Sequence, residues 1–214
     1  MSGYHIVEAW APGHVTGLFT PELEAPDPRA RGSTGAGLVL DLGVTAVASR
    51  ERSDSLSLEV ASDLGIPLPI STQAARTLLA VRKGRFTVLL RHDLPVGQGF
   101  GMSAAGALAT GLSIAGLIGL SRSRAVEAAH RAELRFGGGL GGVAATLGGG
   151  LEIRTRAGLP PRGQVRRIPK RDRVLLAIGG PPIPTPSRLA DRKLLQQLRV
   201  AGSSGLARLA TEPT

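Results

Sequence analysis

The 214-residue sequence contains no cysteine, which excludes disulfides, thiolate metal sites and a cysteine nucleophile and gives no reason to expect an oxidising compartment. Aromatic residues make up only 3%: one Trp, one Tyr and four Phe. Platforms on which nucleic-acid bases could stack are therefore scarce. The first ten residues, MSGYHIVEAW, lack the basic and apolar segments of a secretion signal, and a cytoplasmic protein is expected. Acids are also short, with 16 Asp and Glu against 26 Lys and Arg, a formal net charge of +10. That deficit is local. Twelve Lys or Arg and two acids (Asp172, Asp191) fall between Arg154 and Arg199, while the rest of the chain balances at 14 against 14. Such a block suits a solvated basic face, a surface that meets an anionic substrate or partner, or a nucleic-acid surface; the shortage of aromatics disfavours the last.

Charge is missing altogether between Asp93 and Arg122. Gly111, Ala115 and Gly119 form a small-residue stripe there, of the kind that pairs membrane helices. The apolar part after Gly101 is short for a span and rich in Gly, and a helix of alternating charge starts almost at once near Ser123. A buried central helix from Ser103 to Leu120 is the better reading, and no membrane association is expected.

Hydrophobic residues make up 42% and charged residues 20%, a globular balance in a chain long enough for one large domain or two small ones. The spacing predicts strands at Tyr4–Trp10, Leu38–Ser49, Leu56–Val60, Phe86–Arg91, Leu151–Thr155 and Val174–Ile178. It predicts helices at Thr72–Val81, Ser103–Leu120, Arg124–Arg135 and Leu189–Val200, with turns or loops at Ala11–Gly17, Pro21–Pro28 and Gly32–Gly37. The tail from Ala201 is weakly patterned. A mixed α/β sheet with the two central helices packed on one face is expected.

The chemistry centres on Pro95-Val96-Gly97-Gln98-Gly99-Phe100-Gly101-Met102-Ser103-Ala104-Ala105. Three glycines at alternate positions can turn backbone N–H groups toward one point, and the helix behind them adds its unpaired N–H groups and the positive end of its dipole. That is a phosphate cradle. The stretch lacks the Gly-Lys-Ser/Thr ending of a Walker A loop. It satisfies a permissive dinucleotide fingerprint, but the chain continues from helix to helix rather than to a second strand ending in an acid.

Three features in order carry a resemblance. Pro12-Gly13-His14 follows the first strand, the glycine stretch above comes second, and Gly139-Leu140-Gly141 third. They resemble the motifs of the GHMP kinases, in which the central pattern reads Pro-x-x-x-Gly-Leu-Gly-Ser-Ser-Ala; Phe100 and Met102 stand where Leu and Ser are usual. Within that group the likeness is nearest to the archaeal pantoate kinases, through Ala11-Pro12-Gly13-His14-Val15-Thr16-Gly17, Gly32-Ser33-Thr34-Gly35-Ala36-Gly37 and Ala129-His130-Arg131-Ala132-Glu133. It extends over most of the chain, to about Thr185.

The resemblance implies a ribosomal protein S5 domain 2-like fold and ATP-dependent phosphorylation of pantoate to 4-phosphopantoate, a step in archaeal coenzyme A synthesis. It implies that Pro95, Gly97, Gly99, Gly101, Met102, Ser103, Ala104 and Ala105 bind ATP. Ser103 and Glu133 would hold Mg²⁺, and His14, Thr16 and Ser33 would lie on the substrate side. Two departures stand out. Where the family reads Gly-Leu-Gly-Asp-Val this chain has Gly142, which can neither accept a proton nor orient a hydroxyl. The family also continues into a C-terminal domain, so residues 1–180 are expected to form the N-terminal ATP-binding domain and 181–214 a linker or the start of a truncated second domain. A homodimer, or a separate chain supplying that domain, would complete it. The alternatives are an inactive nucleotide-binding pseudokinase and a basic nucleic-acid-binding protein.

Overall fold

The architecture is that of a computed structural model, which describes residues 5–137, 140–169, 173–182 and 191–211. In chain order the elements are β1 (His5–Glu22), a 3-10 turn at Pro28–Ala30, β2 (Gly32–Glu51), β3 (Leu56–Ser62), α1 (Pro69–Leu79), β4 (Gly84–His92), α2 (Met102–Ile118), α3 (Arg122–Arg135), α4 (Gly142–Gly148), β5 (Leu151–Arg156), β6 (Gln164–Ile168) and α5 (Arg192–Thr211). The strands form one mixed sheet. β2 is its spine, antiparallel to β1 over nearly its whole length, to β5 through Gly35–Leu38 and to β4 through Val44–Glu51. β3 lies parallel to β4, joined by the crossover through α1, and β6 pairs with β5 at the other end.

The sheet buries one face under helices, as the alternation in β4 requires. Phe86, Val88 and Leu90 point into the core while Arg85, Leu89 and Arg91 point out. Each of the three inward side chains contributes about 1.5–3 kcal/mol by leaving water. α2 lies against β1 and β2, and α1 and α3 flank it. Twelve of the 17 residues of α2 are buried, so the segment without charge is a core helix. Its small-residue stripe has a packing reason: a Cβ at Gly111 would sit 3.0 Å from the Ala125 carbonyl of α3. Among the described residues no helix is long and apolar enough to cross a membrane.

Several expected boundaries are corrected. Ala11–Gly17 is not a turn but part of β1, which runs on to Glu22 with register breaks at Pro12/His14 and Thr16/Leu18. Gly32–Gly37 is strand too. Its glycines reflect close approach rather than turning, since a Cβ at Gly35 would overlap the Leu18 carbonyl and one at Gly37 the His14 ring. Val174–Ile178 is irregular chain, and Val174, Leu175 and Ile178 are left exposed without a strand partner. Instead the segment returns over the glycine loop, where Gln98 donates to the Gly180 carbonyl at 3.2 Å. The last helix begins at Arg192 and continues through the weakly patterned tail to Thr211, packed on β1. α4 and β6 were not expected. Tyr4, Gly139 and residues 183–190 lie outside the described residues.

Candidate active site

The register break in β1 makes the site. Between Pro12, opposite Gly43, and His14, opposite Val39, the strands part company, and the freed His14 N–H donates to the Phe100 carbonyl at 3.0 Å. That bond pins the glycine loop against β1. Gly97, Gly99 and Gly101 all have positive φ (85°, 81° and 70°), which L side chains rarely adopt. Gly101 has a second reason to be glycine: a Cβ there would lie 2.9 Å from the His14 nitrogen. Gly101 is also the left-handed residue from which α2 starts, and no side chain caps that helix. Its first N–H groups are thus left for another acceptor.

Beside this helix start lies a cavity of about 330 Å³, lined by His14, Thr16, Ser33, Gly99, Gly101, Ala104, Glu133 and Gly142, with Phe19, Leu140, Gly141 and Arg154. All three residues expected on the substrate side are there, from β1 and β2, together with Glu133 from α3 and part of the glycine loop. Met102 and Ala105 face the core instead, so they can offer only backbone. Pro95 and Gly97 are exposed on the loop outside the cavity. Ser103 is exposed as well and lines a separate narrow recess with Pro67, Leu68, Ile70, His92 and Val96. The structure does not bring Ser103 and Glu133 into one cavity; Ala104 is the residue of α2 that faces Glu133.

Glu133 is fully buried, and burial pushes its carboxyl up to about 8, against the opposing pull of the Val143 and Gly142 N–H groups and of Arg154. The Val143 N–H donates to Oε2 at 3.3 Å. Oε1 lies beside Gly142, where a Cβ would be 2.8 Å from it and 2.6 Å from Ala104 Cβ. An aspartate at 142 would need its surroundings to move.

The opposite wall is a buried cluster in which His14 meets Glu152 and Arg154, two residues that the sequence reading missed. His14, Glu152 and Arg154 are 3%, 0% and 2% exposed. His14 Nε2 lies 2.9 Å from Glu152 Oε1, and Arg154 donates to the same oxygen. Glu152 Oε2 and Arg154 Nε have no partner among the described residues. Glu152 and Arg154 occupy alternate positions of β5 and so share a face. Two opposite charges two apart in a short strand, each between apolar or uncharged neighbours, were the available signal.

The comparisons with known proteins agree with this geometry. Residues 70–150 match the GHMP kinases N terminal domain. The chain is 33% identical over 196 residues to a pantoate kinase of Methanospirillum hungatei, covering 90% of this chain and 66% of that one. It is 32% identical over 216 residues to a pantoate kinase of Thermococcus kodakarensis, covering 97% and 71%. The chain belongs to the pantoate kinases of the GHMP family. It spans about two thirds of the length of these relatives. A solved phosphotransferase related to the coenzyme A biosynthesis pathway superposes with a TM-score of 0.81 at 31% identity, over 98% of this chain and 71% of that one. A homoserine kinase from Cytophaga hutchinsonii, at 19% identity and a TM-score of 0.56, shares the fold. The mixed sheet with its helices is thus the fold of the GHMP kinases' N-terminal domain.

Proposed function

We propose that this chain transfers the γ-phosphoryl group of ATP to a hydroxyl of pantoate, giving 4-phosphopantoate and ADP. The observation that carries this reading is Arg154, a buried guanidinium whose Nε has no partner among the described residues and which lines the same cavity as the start of α2. Arginine suits a planar carboxylate, and an unpaired donor in such a site awaits an acceptor. Pantoate has a carboxylate at one end, a hydroxyl at the other and a dimethyl carbon between. With the carboxylate on Arg154 and the apolar centre against Phe19, Leu140 and Ala104, the hydroxyl would face the glycine loop.

The nucleotide would lie along the loop from Pro95 to Ala105, its phosphates on the N–H groups of Gly99, Gly101 and the first turn of α2. Its base would suit the narrow recess of Leu68, Ile70 and Val96. Ser103 borders that recess and the helix start, so its hydroxyl would meet the phosphates from the outer side. The donor set at Glu133 fits magnesium: one carboxylate lining the cavity, to be completed by phosphate oxygens and water. When bound, the cation neutralises charge that develops on the phosphates. Glu133 would lose its proton to hold it. In the transfer the hydroxyl oxygen bonds to phosphorus as the bond to the β-phosphate oxygen breaks, so the hydroxyl proton needs an acceptor in the cavity. We further take residues 1–180 as the ATP-binding domain and 181–214 as a linker or the start of a second domain. A cytoplasmic location follows from the need for ATP.

The test is ADP release by purified protein with Mg²⁺-ATP, with and without pantoate. Pantoate-dependent ADP release is the expected result. A second reading rests on Gly142: a chain that binds ATP without turning over. It would give thermal stabilisation by Mg²⁺-ATP with no ADP release above background.

A further inference from the structure

The cavity holds no acid at position 142, yet a hydroxyl proton must leave. We propose that His14, oriented by Glu152, accepts that proton, an inference that rests on the kinase reading above. The geometry is specific. Thr16 on β1 pairs with Gly37 on β2, and Gly37 pairs with Glu152 on β5. The imidazole of His14 crosses β2 over Gly37, where any Cβ would overlap its Nε2 and Cε1 atoms, and reaches Glu152 Oε1 at 2.9 Å. Arg154 donates to the same oxygen, so that oxygen acts as an acceptor and Nε2 of His14 carries the hydrogen. Nδ1 is then the atom that carries a lone pair, and it accepts from the exposed Thr16 hydroxyl at 3.4 Å, a contact that a substrate hydroxyl in the cavity would replace.

A carboxylate holding one imidazole nitrogen protonated while the other faces a hydroxyl is the arrangement by which histidine serves as a general base. In the transfer, the substrate O–H proton passes to Nδ1 as the oxygen bonds to the γ-phosphorus, and ADP carries away the electrons of the bond that breaks. Glu152 stabilises the imidazolium. Proton return to water resets the ring. The charged groups facing it are Glu152 and Arg154 from β5, with Glu133 of α3 across the cavity. A link that only joined three strands would leave its polar atoms satisfied. Here Glu152 Oε2 and Arg154 Nε have no partner among the described residues, and Arg154 lines the cavity.

Two variants and one spectrum test this. His14→Gln keeps a donor for Glu152 but has no basic nitrogen; kcat should fall by about 10² to 10⁴. Its stabilisation by Mg²⁺-ATP should stay as in the wild type. Wild-type kcat/KM should be lost toward acid pH along one limb that is unchanged when Mn²⁺ replaces Mg²⁺ and that is absent in the variant. Nitrogen-15 NMR of the ligand-free protein near pH 8, with the His14 signals assigned by their loss in the variant, should show Nε2 protonated and Nδ1 bare. Should His14→Gln not fold, the wild-type pH limb and spectrum decide the matter, together with Gly37→Ala, which should push the ring off Glu152 and lower kcat more than it raises KM. An Nδ1-protonated ring, or a pH limb that moves with the metal, would overturn the proposal. So would wild-type kcat in His14→Gln. A wild-type protein that forms no ADP with pantoate, whatever the state of His14, would instead overturn the kinase reading.

Discussion

On one side of the cavity the chain offers backbone, and on the other it offers charge. The glycine loop and the start of α2 present N–H groups; the side chains there, Phe100, Met102 and Ala105, are turned into the core. The facing wall, where β1, β2 and β5 run side by side, presents His14, Ser33 and Arg154 with Glu152 behind them. The first wall depends on what is missing at each position, the Cβ atoms that glycine lacks. The second depends on what each side chain carries. The two should therefore fail in different ways.

The largest effect is expected on the charged wall. Arg154→Leu removes one partner of a buried pair and leaves Glu152 without its guanidinium, a change that typically costs about 3–5 kcal/mol. The Tm should drop by many degrees, and in whatever folds the KM for pantoate should rise far more than the KM for ATP. A Tm within 2 °C of the wild type would mean that the pair is not buried as described.

On the backbone wall the corresponding change is Gly101→Ala. Its φ of 70° alone makes alanine cost about 1–2 kcal/mol, and the Cβ would press on the His14 backbone at 2.9 Å. Here the KM for ATP should suffer more than that for pantoate, and stabilisation by Mg²⁺-ATP in a thermal melt should shrink or vanish. If both walls responded alike, with the two KM values rising together, the division between them would be lost.

The same contrast explains what could be seen in the sequence. Glycine spacing before an apolar helix is a local signal, so the loop from Pro95 to Ala105 and its helix were legible from a dozen neighbouring letters. Gly32–Gly37 misled for a related reason: its glycines leave room for Leu18 and for the His14 ring, partners distant in sequence, rather than for a turn. Glu152 and Arg154 stayed hidden because their burial is set by strands that pair across more than 100 positions. Val174–Ile178 has the composition of a strand but joins no strand among the described residues. His14, Thr16, Ser33 and Glu133 were found only through order and resemblance, and they converge on one cavity. Ser103, grouped with Glu133 by the same route, lines a different recess.

Glu133 stands between the two walls and gives a smaller, pH-dependent effect. Its carboxyl, ordinarily at 4.5, is pushed up to about 8, so the folded protein prefers it protonated. The sign follows from linkage: the stability it contributes is full below pH 4.5 and is lost as pH rises toward 8. Glu133→Gln should therefore melt with the wild type near pH 4.5 and above it at pH 8 and beyond, while losing affinity for Mg²⁺. Binding of Mg²⁺-ATP to the wild type near pH 7 should release a proton, measurable by calorimetry in buffers of different ionisation enthalpy. A Tm difference that does not change with pH would show that Glu133 is ionised throughout.

The smallest effect on stability should come from Ser103→Ala, and its value lies in being confined to one wall. The side chain is exposed and alanine is the better helix former, so the melting temperature should change by less than about 2 °C. If the hydroxyl meets the phosphates from the outer side of the helix start, the KM for Mg²⁺-ATP should rise about five- to tenfold, the scale of one hydrogen bond of about 1–1.5 kcal/mol. The KM for pantoate should not move. A larger loss in kcat than in ATP binding would say that Ser103 turns toward Glu133 when nucleotide binds. Unchanged kinetics would leave nucleotide recognition on this wall to backbone alone.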